Sequence, residues 1–312
     1  MGYDFEDLVK KGRLSEEENE RIYQRENIFE RYSNGAKADE CPKVIIVGGQ
    51  PGAGKTSIVN RFKRYFEKAG VVHIDSDELR EFHPMKESQD EINDRLTAVY
   101  TGKDSGIWAQ KIMNDAVAKR LNIICETPLK STEKLLNQID MLTTKGYDVR
   151  LAVFAVPYDL SLLGVYSRYE RPKTKGDYGR FVHDKPLRDS YLNQTVTVEA
   201  IKQQGKVTGI EIYSREGIVF KGDYRTSDLT SVIFAEQRRR FTSEEETKLK
   251  KRWQEVAQMM TERSAEEREF LRIEKQMTAR IAECINEGCP KENIELLTEI
   301  KNDFCQHRPI NE

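Results

Sequence analysis

The stretch "VIIVGGQPGAGKTSIV", residues 44–59, decides the fold. Val44, Ile45, Ile46 and Val47 form an apolar, β-branched run that reads as a buried parallel strand. A helix is expected from Lys55 to about Lys68, with Ile58, Phe62 and Phe66 on one face at four-residue spacing. Between strand and helix, Gly49, Gly54, Lys55 and Thr56 fill the pattern G-x-x-x-x-G-K-[ST]. The residue types have physical reasons. Glycines let successive backbone N–H groups turn inward as a nest for phosphate oxygens, and the positive end of the helix faces the same point. Lys55 adds a mobile full charge, and the Thr56 hydroxyl is a hard oxygen ligand suited to magnesium. Gly49, Gln50, Pro51, Gly52, Ala53, Gly54, Lys55, Thr56 and Ser57 are therefore expected to hold the phosphates of ATP or GTP, with Mg2+ on Thr56. A chance glycine turn would not satisfy so many positions with a strand before and a helix after. Triphosphate binding by itself does not separate kinase, hydrolase and switch.

Outward from this loop, strands alternate with helices. "AGVVHID" reads as a second strand, "LNIICE" (121–126) as a third and "YDVRLAVFAVP" (147–157) as a fourth. Helical patterns fall at about 88–100, 106–120, 131–145, 159–170 and 187–204. "GIEIYSREGIVFKGD" reads as a closing strand and a short partner across a turn at Glu216-Gly217. The alternation predicts an α/β fold with a mostly parallel sheet flanked by helices. Residues 1–40 read as a polar helical appendage, with Ser15 as a cap and Glu18 completing a capping box. Residues 41–226 read as the P-loop domain, and 227–312 as a charged helical extension. In that extension Phe270, Ile273, Met277, Ile281 and Cys284 trace a narrow apolar stripe, more simply read as internal packing than as a partner site.

"HIDSDELREFHP" is the second informative segment. Asp75 and Asp77 fall at the carboxyl end of the second strand, the edge where ligands bind in an open parallel sheet. A carboxylate there can orient an acceptor hydroxyl and take its proton. Asp77 also stands where an N-cap would, directly before "ELREF", and one of the two carboxylates is expected to be structural. Arg80 follows on the same short helix, and His83, ahead of a proline, reads as structural. "ERPKTKGDYGRFV" carries Arg171, Lys173, Lys175 and Arg180 beside two glycines and reads as a lid or as a solvated basic loop.

"GGQPGAGKTSI", "IDSDELREFHP", "YDVRLAVFAVPYDLSLLGVYSRYE" and "IYSREG", in this order, resemble the zeta toxin family, the kinase toxins of bacterial toxin–antitoxin systems. The resemblance covers about residues 43–220 and implies a P-loop kinase fold. It implies ATP-dependent phosphorylation of a nucleotide sugar, UDP-N-acetylglucosamine at its 3′-hydroxyl, which blocks cell-wall precursor synthesis. By motif position it makes Asp77 the catalytic aspartate, with Lys55, Arg168 and Arg180 around the transferring phosphate. It places Glu126, Thr127 and Asp115 with Asp77 against the substrate, and it implies an antitoxin partner. Read from the residues alone, Glu126 is equally a strand-end carboxylate or a partner of metal-bound water. The family commonly has glycine after that glutamate; here Thr127-Pro128 follows, which stiffens a loop that faces the acceptor.

With 38% apolar and 33% charged residues in 312, the chain is hydrophilic but not disordered in composition. A net charge of -2 gives little support to nucleic-acid binding, including a nucleic-acid end kinase. No run approaches the roughly 18 apolar residues of a membrane span, and the polar N-terminal segment has no signal-peptide core. Five cysteines without a CxxC pair read as reduced thiols of a cytoplasmic protein. The rival readings are a related kinase with another acceptor and a slowly hydrolysing nucleotide switch.

Overall fold

The computed structural model describes residues 5–87, 96–177 and 179–309. Its centre is β1 (Lys43–Gly48), buried from Val44 onward. It pairs in parallel with β3 (Ile123–Thr127) on one side and β4 (Asp148–Phe154) on the other. β2 (Val72–Ile74) lies outside β3, and β5 (Gly209–Tyr213) lies outside β4. β6 (Ile218–Lys221) closes the edge as an antiparallel partner of β5, across a turn where Gly217 has φ 138°. The order is β2-β3-β1-β4-β5-β6, so the expected α/β fold with a mostly parallel sheet is the observed one. The chain leaves β1 toward β2 on one side and returns to β4 on the other. The crevice beyond the carboxyl ends of β1 and its neighbours is thus a topological switch point.

Alternation along the strands divides the core. Ile45, Val47, Ile124 and Phe154 face α4 (Thr56–Tyr65), packing with Ile58, Val59 and Phe66. Val44, Ile46, Ile123 and Leu151 face the other way. That face is covered by α5 (Thr97–Ala118), α6 (Thr132–Thr144), α8 (Asp184–Gln204) and α9 (Leu229–Arg238). The first forty residues take part in it. After α1 (Phe5–Gly12) come α2 (Glu16–Arg25) and α3 (Ile28–Ser33), whose Ile22 and Ile28 sit in the same core as β1. The Ser15 side chain caps α2 by accepting from the Glu18 N–H, while the Glu18 carboxylate turns to Arg21 instead of completing the box.

Sequence spacing predicts two helices across residues 88–120; the structure has one, α5, of 22 residues, and residues 88–95 lie outside the described residues. Gly102 and Gly106, which weaken helical patterning by about 1 kcal/mol each relative to alanine, are inside it. Both line the cavity described below, where the missing side chains leave room.

A second core joins α7 (Tyr158–Lys173) and part of α8 to α10 (Ser243–Glu262), α11 (Glu267–Asn286) and α12 (Lys291–Cys305). Phe270, Ile273, Met277 and Cys284 are buried there with Ile281 packed against them, so the apolar stripe of the extension is internal packing. Buried ion pairs bind these helices to α7, Arg263 with Glu170 at 2.7 Å and Arg280 with Asp159 at 3.3 Å, beside a more exposed pair of Arg171 with Glu255 at 3.6 Å. Among the described residues no helix is long and apolar enough to cross a membrane.

Candidate active site

The loop between β1 and α4 needs its glycines for two different reasons. Gly52 and Gly54 have φ of 76° and 104°, the left-handed region. Gly52 also has no space: a Cβ there would meet the Ser161 carbonyl oxygen at 2.2 Å, and a Cβ on Gly164 would meet the Gly52 oxygen at 2.2 Å. Loop and α7 therefore touch backbone to backbone. Arg215, just after β5, fastens the contact. Its Nε donates to the Ala53 carbonyl (3.0 Å), and Nη2 donates to the carbonyls of Gly52 (3.2 Å) and Leu160 (3.0 Å). The Gln50 amide donates to the Val156 carbonyl at 3.0 Å, and its Oε1 is buried without a partner among the described residues.

Lys55 curls over the loop and donates to the carbonyls of Gly49 (2.9 Å) and Gln50 (3.3 Å). Burial lowers its pKa against the opposing pull of Glu126, Asp75 and Asp77. Thr56 opens α4 and is exposed, and the Ser57 hydroxyl donates to the Gly54 carbonyl at 3.2 Å. These residues fit a triphosphate: a cradle that side chains would fill, a helix N-terminus and one ammonium. They also fit magnesium, which takes few protein oxygens when nucleotide phosphates supply others. Thr56 is the hydroxyl placed to provide one, and no cluster of three or more acidic, histidine or cysteine side chains suited to a metal occurs among the described residues.

Beyond the loop, β2 and β3 deliver three carboxylates with separate environments. Asp75 accepts the Asp77 N–H at 2.9 Å, which shapes the turn after β2. Burial, then the charges of Glu126 and Asp77, push Asp75 up to about 6. Glu126 is held by His73 Nε2 at 3.0 Å. Burial raises its pKa, but the His73 hydrogen bond and the Lys55 charge outweigh this and leave it low. Asp77 occupies the N-cap position of a short 3-10 helix (Glu78–Phe82), yet its side chain makes no capping bond. It faces Arg80 at 2.9 Å and Arg168 at 3.8 Å instead. Burial opposes its ionisation, and Arg80, Arg168, Lys55 and Arg180 together overcome that and hold its pKa down. Both line the cavity; Asp75 shapes the turn, and Asp77 is the carboxylate that the surrounding cations hold charged.

The Nε atoms of both Arg80 and Arg168 are buried with no hydrogen-bond partner among the described residues. Such orphaned donors are costly. Both lie on arginines that face Asp77 and line the cavity.

A cavity of about 520 Å³ connects these groups, within the range of small-molecule sites. Pro51, Gly52, Lys55, Asp77, Glu126, Thr127, Arg168 and Arg180 all line it. The structure thus brings together loop, aspartate, glutamate and both arginines. Pro128 lines it too, and Leu129 after it has φ 55°. Asp115 lies elsewhere. It accepts from the Tyr23 hydroxyl at 2.7 Å and ties α2 to α5, on a different face of α5 from the lining residues Gly106, Gln110 and Met113. His83 is buried 3.5 Å from Asp104, whose carboxylate also accepts from Asn19 and the Leu14 N–H. That network anchors the N-terminal helices.

Sequence reasoning gave no role to Arg80, His73, Arg215 or Gly164. Arg80 had a readable signal, three residues after Asp77 on a helical turn. The lysines Lys103, Lys130 and Lys134, which also line the cavity, come from α5 and from the start of α6 with the loop before it. No spacing rule joins them.

A phosphate loop at the switch point of a parallel sheet, facing a carboxylate between two arginines, defines a P-loop fold of the kinase type. The family model described as Zeta toxin matches residues 26–225. The chain belongs to that family. It is 28% identical over 208 residues to the Toxin zeta of Enterococcus hirae, covering 65% of this chain and 71% of that one. It is 27% identical over 203 residues to the Toxin PezT of Streptococcus pneumoniae, covering 64% and 80%. A solved structure from a characterization of the PezAT chromosomal toxin–antitoxin system of Streptococcus pneumoniae superposes with a TM-score of 0.66. It is 22% identical and covers 79% of this chain and 98% of that one. A structure of AvrRxo1-ORF1:-ORF2 with ATP superposes with a TM-score of 0.53 at 14% identity, covering 83% and 88%.

Proposed function

We propose that the protein is the kinase toxin of a toxin–antitoxin system, transferring the terminal phosphoryl group of ATP to the sugar 3′-hydroxyl of UDP-N-acetylglucosamine. The single observation that carries the transfer reading is the ionised Asp77 set between two guanidinium groups, each with an unused buried Nε. A switch protein has no need of a carboxylate where an acceptor would lie. Family membership supports the acceptor, and the relatives described as parts of a toxin–antitoxin system and as bound with ATP support the partner and the nucleotide.

In this mechanism the loop from Gly49 to Ser57 and Lys55 hold the phosphates, and Thr56 is the residue that would hold magnesium, whose charge offsets that of the phosphates. Asp77 accepts a hydrogen bond from the acceptor hydroxyl and takes its proton as the oxygen attacks. The new O–P bond forms as the bond to the bridging oxygen breaks, and ADP leaves. Arg168 and Arg180 neutralise the charge on the transferring group. Glu126 and Thr127 face the sugar, with Glu126 kept ionised by His73.

A second reading, the same chemistry on another acceptor, rests on Thr127-Pro128, where the family commonly has glycine after the glutamate, and on Lys103, Lys130 and Lys134 lining the cavity. One experiment separates them. The full chain is incubated with γ-labelled ATP, magnesium and a panel of nucleotide sugars, and the labelled product is identified by mass spectrometry. Label on UDP-N-acetylglucosamine supports the first reading and label on another member supports the second. ATP hydrolysis alone would overturn both.

A further inference from the structure

The turn between α11 and α12 does not line the cavity and plays no part in the proposed chemistry. Helix α11 ends at Asn286, and Gly288 follows with φ 69°. The Cys289 N–H then donates to the Cys284 carbonyl at 2.9 Å. This six-to-one closure sets the side chains of its two end residues next to each other. Here both ends of the closure are cysteines, Cys284 in the last turn of α11 and Cys289 just past it. We propose that Cys284 and Cys289 form a reversible dithiol–disulfide site, with Cys289 as the attacking sulfur and Cys284 as the resolving one.

The surroundings are unequal in the way this chemistry requires. Arg280 Nη2 donates to the Cys289 sulfur at 4.0 Å. Cys289 also stands two residues ahead of Lys291, at the positive end of α12, whereas Cys284 is in the last turn of α11, at its negative end. Cys289 is partly exposed and Cys284 is buried. The charged groups that face the pair are Arg280, which favours the thiolate, and Asp159 of α7 and Glu287, which oppose it. The neighbouring Cys284, aided by Arg280, lowers the pKa of the Cys289 thiol. Cys284 is pushed up, first by its Cys289 neighbour and then by burial. Two cysteines serving only as the apolar contact of such a turn would not be distinguished in this way. The other cysteines differ: burial drives Cys125 up to about 12, Cys305 is raised, and Cys41 is exposed.

The oxidant is a hydroperoxide. The Cys289 thiolate attacks its terminal oxygen, the O–O bond breaks, and an alcohol, or water from hydrogen peroxide, leaves. Cys284 sulfur then attacks the resulting sulfenic acid, the S–O bond breaks, and water leaves with the Cys284 proton. Two thiols lose two electrons in total, and the hydroperoxide gains them. A thiol reductant reverses the step.

Trypsin releases both cysteines in one peptide, Ile281–Lys291. The folded full chain is titrated with hydrogen peroxide, unreacted thiols are alkylated, and the peptides are weighed. The expected result is an unalkylated Ile281–Lys291 peptide lighter by two hydrogens, formed at a peroxide dose about tenfold below that which modifies Cys125 or Cys305 and restored by dithiothreitol. In Cys284→Ser the expected product is a Cys289 sulfenic acid trapped by dimedone. In the unmodified chain the alkylation rate of Cys289 should rise with a midpoint below that of an ordinary thiol. A peptide that stays doubly alkylated while Cys41 oxidises, or a Cys289 that passes to sulfinic acid with Cys284 intact, would overturn the proposal.

Discussion

Two sets of arginines meet α7 and are used in opposite ways. Arg263 donates to both Glu170 (2.7 and 3.0 Å) and Glu269 (3.1 and 2.8 Å), and its side chain is 14% exposed. Arg280 reaches both oxygens of Asp159 at 3.3 Å. Arg168, on the same helix as Glu170 and Asp159, is only 3.8 Å from Asp77, 40% exposed, and leaves Nε without a partner. Arg80 likewise keeps an unused Nε. The first set has used its donors to lock helices; the second holds donors in reserve. The two sets thus differ in unused hydrogen-bond capacity as well as in charge pairing.

Substitutions can break this contrast. Arg168→Ala should lower phosphoryl transfer by about 10³- to 10⁵-fold with little change in melting temperature; a small kinetic loss would put Arg168 with the structural set. Asp77→Asn should reduce single-turnover transfer by about 10²- to 10⁴-fold while leaving nucleotide affinity, measured by calorimetry, near its original value. Arg263→Met should act on stability, costing about 3–5 kcal/mol in denaturant unfolding because Glu170 is left buried and unpaired. Its transfer rate per folded molecule should stay unchanged.

The smallest effect sharpens the separation of the two aspartates. Asp75 is held near 6 in the fold against an ordinary 3.8, so the folded state prefers it protonated. Its charge costs stability above about pH 6, and the cost fades as pH falls through 6 and is gone below about 3.8. Asp75→Asn should therefore stabilise the protein by about 2 kcal/mol at pH 8, allowing for partial exposure, and by nothing near pH 3. A gain that grows on acidification would contradict this assignment.

Much of the site was legible because its chemistry is local. The phosphate loop is a contiguous run, and Asp77 follows a strand at a readable edge. The resemblance supplied Arg168, and the basic run before "FV" supplied Arg180. What escaped lies between distant segments. No pattern tells that Gly164 must be small because Gly52 presses on it, or that Arg215 will fasten Ala53 and Leu160. Asp115 shows the limit of motif position on a helix: two residues past Met113 it has turned about 200° from the cavity and meets Tyr23. The N-terminal helices looked detachable because half of "EEENERIYQRENIFERYS" is charged, yet Ile22, Ile28 and Phe29 suffice to place them in the main core.

The most direct measurement is a crystal structure of the full chain with a non-hydrolysable ATP analogue, magnesium and UDP-N-acetylglucosamine. The account predicts an Asp77 carboxylate oxygen within hydrogen-bond distance of the 3′-hydroxyl, that hydroxyl in line with the terminal phosphorus, and Arg168 on the phosphate oxygens. An Asp77 side chain turned away from the terminal phosphate, with no space for an acceptor between them, would contradict it.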